Sequence, residues 1–191
     1  MAGAERRSQL LRVGRELFAE QGYAATSLDA IAKRAGVTKP VIYQHFENKA
    51  DLFGSIVDDG VQELARRLRP AFALGTIDEV FEAGARAFME FLRDDPQGFE
   101  TLSSNSPLAL AVERSRRRIV QVALSRRLHE LIDGADDWAI EAVSYATIGL
   151  AIYYGQWWAN SKSVAFDEAV RGLASMFQGQ LSILELAPQR P

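Results

Sequence analysis

The stretch from Thr26 to Leu52 reads TSLDAIAKRAGVTKPVIYQHFENKADL, and its punctuation decides the fold. Ser27 or Thr26 can cap a helix running through Leu28 to Ala35, with Lys33 and Arg34 in its last turn, where cations suit the helix dipole. Gly36-Val37 breaks that helix. Thr38 then caps a second, short helix that reaches about Phe46, with Pro40 in its first turn, where a missing N–H costs nothing. Asn48 caps a third. This order, a helix, a tight glycine-containing break and a short second helix, is the layout of a helix-turn-helix. Its packing demands are met. Ala32 and Ala35 are small where two helices must approach, and Ile31, Val37, Ile42 and Phe46 can form the wedge of core beneath them. The second helix is short enough to enter a major groove end-on.

Helical geometry assigns directions. Ile42 faces inward with Phe46. Pro40 and Gln44 are each two residues, or about 200°, from Ile42 and so point outward. Gln44 can pair bidentately with adenine, Lys39 can reach guanine or a phosphate, and Thr38 is placed to contact either.

With Phe18, Gly22 and Tyr23 ahead of it, the same stretch resembles the signature of the TetR family of transcriptional regulators. The hallmarks are the Ala35-Gly36-Val37 turn, Tyr43 followed by His45-Phe46, and Lys49 just inside the next helix. The resemblance implies that Tyr43, His45 and Lys49 contact phosphates and that Thr26 or Ser27 anchors the DNA backbone. It also implies a ligand cavity among the helices of the body and repression as the mode of action. Pro40 stands where the family often has glycine, so base preference does not carry over.

The rest of the chain is helical in pattern, and no stretch alternates as a strand. The expected fold is all-α: a three-helix DNA-binding head over residues 5–50, a ligand-binding and dimerisation body over 51–186, and a tail over 187–191. The first helix should end at Gln21-Gly22, the helix after Asn48 at Arg69-Pro70, and one last helix should span about 166–186. Aromatic residues crowd the body. Phe81, Phe88, Phe91, Phe99, Tyr145, Tyr153 and Trp157, with Gln156, are candidates to line a pocket for a small, mainly apolar effector, although aromatics at helical spacing also build ordinary core. Phe166, Val170, Leu173, Phe177, Leu181 and Leu184 form one stripe, and the preceding helix is uncharged from Ala142 to Ala159. A second copy of the chain could cover both as a four-helix bundle, with Gly149 allowing close approach. A homodimer on a near-palindromic operator follows.

Charge supports the division. Residues 1–50 hold eight Lys+Arg against five Asp+Glu, a balance of +3, while the whole chain is −3, which leaves −6 for the remainder. A basic head on an acidic body suits a protein that touches double-stranded DNA at one end. A second cluster, Arg114, Arg116, Arg117, Arg118, Arg126 and Arg127, could be a DNA or acidic-ligand site, but such a run is more often a solvated helix face. There are no cysteines, only two histidines, and no glycine-rich phosphate loop or nucleophile motif, so no cofactor, metal or catalytic site is expected. The uncharged stretch is too rich in polar and aromatic residues for a membrane span, and the N-terminus lacks the apolar core of a signal peptide. A cytoplasmic protein is expected. The competing reading is an all-helical interaction module with no DNA role.

Overall fold

The structure, a computed structural model, describes residues 3–103, 107–161 and 163–185; the side chains of 107–117, 184 and 185 lie outside the description. Every described element is a helix: α1 (Gly3–Ala25), α2 (Leu28–Ala35), α3 (Lys39–Tyr43), α4 (Lys49–Phe72), α5 (Ile77–Asp94), α6 (Pro96–Leu102), α7 (Pro107–Leu131), α8 (Asp137–Ser161), α9 (Phe166–Gly179) and α10 (Ser182–Glu185). No helix among the described residues is long and apolar enough to cross a membrane.

Contacts divide the chain into two units. The first holds Met1–Gln62 and Asp95–Arg117. Its core joins Leu10, Leu17 and Phe18 of α1 to Ile31 of α2, Ile42 of α3, and Leu52, Phe53 and Ile56 of α4. The packing unit is thus wider than the 5–50 segment, because it draws in the start of α4 and also α6. Asp95 caps α6 by accepting from Gly98 N at 3.0 Å and also engages Arg15 of α1. Burial lowers the pKa of the Arg15 guanidinium, and nearby Asp59 opposes the shift.

The second unit holds Glu63–Asp94 and Arg118–Pro191. Thr76 and Glu79 cap α5 reciprocally: Glu79 Oε2 accepts from Thr76 N at 3.1 Å, and Glu79 N donates to Thr76 Oγ1 at 3.3 Å. The apolar face of α5 packs on α9, with the Phe81 and Phe177 rings 5.7 Å apart. The buried face of α8 combines Ile140 and Val143 with the small residues Ala139, Ser144, Thr147, Ala151 and Gly155. There Ser144 and Thr147 donate to carbonyls one turn back, each at 2.8 Å, so neither hydroxyl is left without a partner.

Three helix ends bear on the sequence reading. Gly22 has φ 76°, so regular α1 geometry stops where Gln21-Gly22 predicted. Helix α4 does not stop at Arg69-Pro70 but carries Pro70 inside it and ends at Phe72. Proline in a last turn forfeits one hydrogen bond, while Leu68 and Ala71 stay buried on either side and the chain closes with Ala73 N→Pro70 O at 3.2 Å. The single last helix is two, because hydrogen bonds of shorter span at Gln180 and Leu181 tighten the chain after Gly179.

His129 links the end of α7 to the start of α8. Its Nδ1 faces Ser125 O at 2.8 Å and its Nε2 faces Asp137 Oδ1 at 3.1 Å. The Ser125 carbonyl first, then Asp137, raises its pKa above the ordinary 6.5. A raised folded-state pKa means that the contribution is complete below the unfolded value and fades as pH rises through the folded one. Both groups are exposed, so the effect is small. His129→Gln should therefore lower the melting temperature at pH 5.5 more than at pH 8.5; an equal loss at both would refute the linkage.

Candidate nucleic-acid interface

Helix α3 has only five residues, too few to be stable by itself. Tertiary burial holds it. Ile42 is fully buried, and Phe46 just beyond the helix is buried beneath the Arg7 guanidinium, 5.1 Å from the ring centroid. The turn before it depends on Gly36, which sits at φ 67° and ψ 34° and returns its N–H to the end of α2. This geometry turns Thr38, Lys39, Pro40, Tyr43 and Gln44 outward, all exposed, with Tyr43 at 51%. Thr38 occupies the N-cap position of α3, but its hydroxyl makes no capping bond and is free for a ligand. Ser27 is exposed and its Oγ accepts from Ala30 N at 3.1 Å, which leaves its O–H proton to donate. His45 is half-buried beside Phe46.

Two assignments change. Thr26 is 1% exposed, and its Oγ1 donates to Leu17 O and Gly22 O at 3.1 and 2.8 Å. It closes the end of α1 and cannot reach a DNA backbone, so of the pair only Ser27 remains. Lys49 is likewise committed. Its Nζ donates to Tyr23 O at 2.9 Å and Thr26 O at 2.8 Å, lies 3.5 Å from Ala24 O, and stands 4.4 Å from the Tyr23 ring centroid. A cation on the last carbonyls of a helix satisfies groups that otherwise lack partners. Lys49 therefore tethers α1 to α4 and is not a free phosphate ligand. The start of α4 is closed by Asn48 Oδ1 accepting from Asp51 N and Asp51 Oδ2 accepting from Glu47 N, each at 2.9 Å.

One residue escaped the sequence reading. Asp29 of α2 pairs with Lys39, Oδ2 to Nζ 3.0 Å, across the turn. Its hydrogen bond and charge raise the Lys39 pKa. No periodic signal links residues that meet only because two helices cross.

The body residues do not converge on one site. Phe81, Phe88 and Phe91 are buried core of α5, while Phe99 is buried in α6 of the first unit. Tyr145, Tyr153 and Trp157 are exposed at 57%, 71% and 48%, and Gln156 is half-buried. The apolar stripe also needs correction. Val170, Leu173 and Phe177 are buried within the single chain against α5, so they are core and not a face waiting for a partner. Phe166 is half-buried, its ring 4.5 Å from the Arg93 guanidinium carbon. Leu181 is half-buried, and the side chain of Leu184 lies outside the described residues. Gly149 is half-buried, with open space where a Cβ would stand.

A buried wedge with outward polar groups on a short second helix defines a helix-turn-helix DNA-binding protein. Comparison with known proteins gives the family. The profile described as "Bacterial regulatory proteins, tetR family" matches residues 10–56. The HTH-type transcriptional activator FasR of Mycolicibacterium smegmatis is 29% identical over 187 residues, covering 95% of this chain and 85% of that protein. The HTH-type transcriptional regulator AcrR of Shigella flexneri is 52% identical over 52 residues, 27% of this chain and 24% of that protein. A crystal structure of a TetR/AcrR-family transcriptional regulator from Thermobifida fusca superposes with TM-score 0.63 at 28% identity, covering 98% of this chain and all of the other. Residues 10–56 thus match the DNA-binding segment of the TetR family, and over nearly its whole length the chain is similar to TetR-family transcriptional regulators.

Two substitutions separate the roles of the cations. Lys49→Ala should lower stability in urea by about 1.5–3 kcal/mol, the range for hydrogen bonds to a charged group, while leaving the salt slope of DNA binding unchanged. A phosphate contact would instead cut that slope by roughly one unit per subunit. Asp29→Asn frees Lys39 and removes a negative charge from the interface. It should raise affinity for random DNA and steepen the slope by about one unit per subunit; an unchanged slope in a filter-binding titration would show that Lys39 faces no phosphate.

Proposed function

We propose that the protein is a ligand-responsive repressor that binds a near-palindromic operator as a homodimer and is released by a small, mainly apolar effector. The observation that carries the reading is the exposed row Thr38, Lys39, Pro40, Tyr43 and Gln44 above the fully buried Ile42. It offers hydrogen-bonding groups in a fixed order on a helix that fits a major groove. Gln44 reads adenine, Lys39 takes a guanine or a phosphate once released from Asp29, and Ser27, Thr38, Tyr43 and His45 hold the backbone. The protein acts in the cytoplasm, where the DNA lies.

Support for the dimer comes from α8. Trp138, Tyr145, Tyr153 and Trp157 fall on one exposed face of it, with Gly149 among them, and Met176 of α9 is exposed at 46%. A two-fold interface is self-complementary and would bury this face on its copy. The two recognition helices would then stand about one DNA turn apart, roughly 34–36 Å. An effector that binds one head spacing better than the other changes operator affinity reciprocally. FasR is named an activator, so a reporter placed behind the selected operator fixes the sign of regulation.

Selection from random DNA, followed by gel shifts at several salt concentrations, tests the core of this reading. A near-palindromic site with salt-dependent affinity is expected; no binding at low salt would favour the interaction-module reading. Tyr145→Glu should give a folded monomer by sedimentation that has lost specific binding, whereas Leu173→Glu should unfold the body. A Tyr145→Glu protein that remains dimeric would place the interface elsewhere.

A further inference from the structure

Ile119 and Val122 of α7 are 52% and 47% exposed, an unusual position for branched apolar side chains on a helix that also carries Arg118, Arg126 and Arg127. Both line a groove of about 550 Å³ between α7 and the C-terminal part of α4. Phe72 and Ala65 form the α4 wall, and Ala123 on α7 leaves width between them. That volume falls within the range of small-ligand sites, roughly 300–1,000 Å³.

The charges on the groove have one sign in excess. Arg127 is already committed, with Nη1 to Glu130 Oε2 at 2.7 Å and Nη2 to the Leu74 carbonyl. Its Nε is buried without a partner. That pairing consumes Glu130, the one carboxylate among the described residues that line the groove. Arg69 and Arg126 also line the groove, are exposed, and have no ion pair among the described residues. A neutral apolar molecule would cover Ile119 and Val122 but gain nothing from two guanidinium groups. A simple anion would meet the guanidiniums and leave the apolar wall wet, and a cation would be repelled. Only a molecule with both parts uses the whole surface.

We propose that this groove binds a small amphipathic anion, its apolar body along Phe72, Ile119 and Val122 and its carboxylate held between Arg69 and Arg126. Guanidinium forks match carboxylate oxygens in pairs, which makes arginine suited to such a head group. The proposal deepens the effector reading, on which it rests, by naming the chemical class of the ligand.

Isothermal titration of the full chain without DNA tests it, using hexanoate, decanoate and tetradecanoate as the anions, decan-1-ol as the neutral analogue and acetate as the bare head. Saturable binding of at least one of the longer alkanoates, one per chain, is expected, with decan-1-ol roughly tenfold weaker or worse and acetate undetectable. The double variant Arg69→Met, Arg126→Met should lose about tenfold in alkanoate affinity and none for decan-1-ol. Ala123→Trp, at an exposed site, should block both while keeping its helical circular dichroism. No saturable binding by any alkanoate, equal affinity for decan-1-ol, or alkanoate binding untouched by either variant overturns the proposal. A gel shift on the selected operator separates the two readings. Arginine-dependent alkanoate binding that leaves DNA affinity unchanged keeps the groove and removes the effector role. Release of DNA by a different compound, with no alkanoate bound, keeps the effector role and removes the groove.

Discussion

The burial of Ile42 in the core shared by α1, α2 and α4 sets the direction of every group on the DNA-facing side. A five-residue helix has no stability of its own, so its rotation and tilt follow from Ile42 and, just past its end, Phe46. Because successive residues turn by about 100°, fixing Ile42 inward fixes Pro40 and Gln44 outward. Burial of one such side chain is worth about 2–5 kcal/mol against alanine, more than any single outward contact requires. Gly36 makes the placement possible, because its left-handed backbone lets α2 end and α3 begin within a few residues.

The basic excess of the head is not a pool of free cations. Arg12 pairs with Glu16, Arg15 with Asp95, Arg34 with Glu20 and Lys39 with Asp29, while Lys49 is spent on the carbonyls that close α1. What faces outward is largely neutral donors and acceptors: Ser27, Thr38, Tyr43 and Gln44. Neutral hydrogen bonds depend strongly on alignment, and bare charges do not. On the proposed reading, such a surface would gain little from random DNA and more from a sequence that presents partners at the right places. Asp29 adds to this bias, since its ion pair occupies the Lys39 ammonium.

The helix-turn-helix was legible because its signals are local. Caps, the glycine break and the proline each act within one turn, and the outward direction of Gln44 follows from the repeat alone. Lys49 was not legible, because its acceptors lie 23 to 26 residues away and are backbone atoms that carry no side-chain signature. Thr26 and Ser27 are adjacent hydroxyls, and only the path of the chain decides which one points into the core. In the body, the stripe of α9 was readable as apolar but its partner was not. Sequence shows that a face must be covered, and here α5 of the same chain covers it.

That pairing explains the odd composition of α8. With α5 on α9, the remaining place for α8 is close against both, and small side chains such as Ala139, Ser144, Ala151 and Gly155 permit the approach. The same closeness brings the Tyr154 hydroxyl against Gly172, where a Cβ would lie 2.6 Å from it. Ile140 and Val143 are buried on the same inner face, while Trp138, Tyr145, Tyr153 and Trp157 stand exposed on the outer one. An ordinary surface helix is charged on that side. This one is uncharged from Ala142 to Ala159, yet among the described residues no helix suits a membrane. Exposed tyrosine and tryptophan offer large apolar area together with a polar edge, the combination enriched where one protein surface meets another, and this is the face that the proposed two-fold contact would cover.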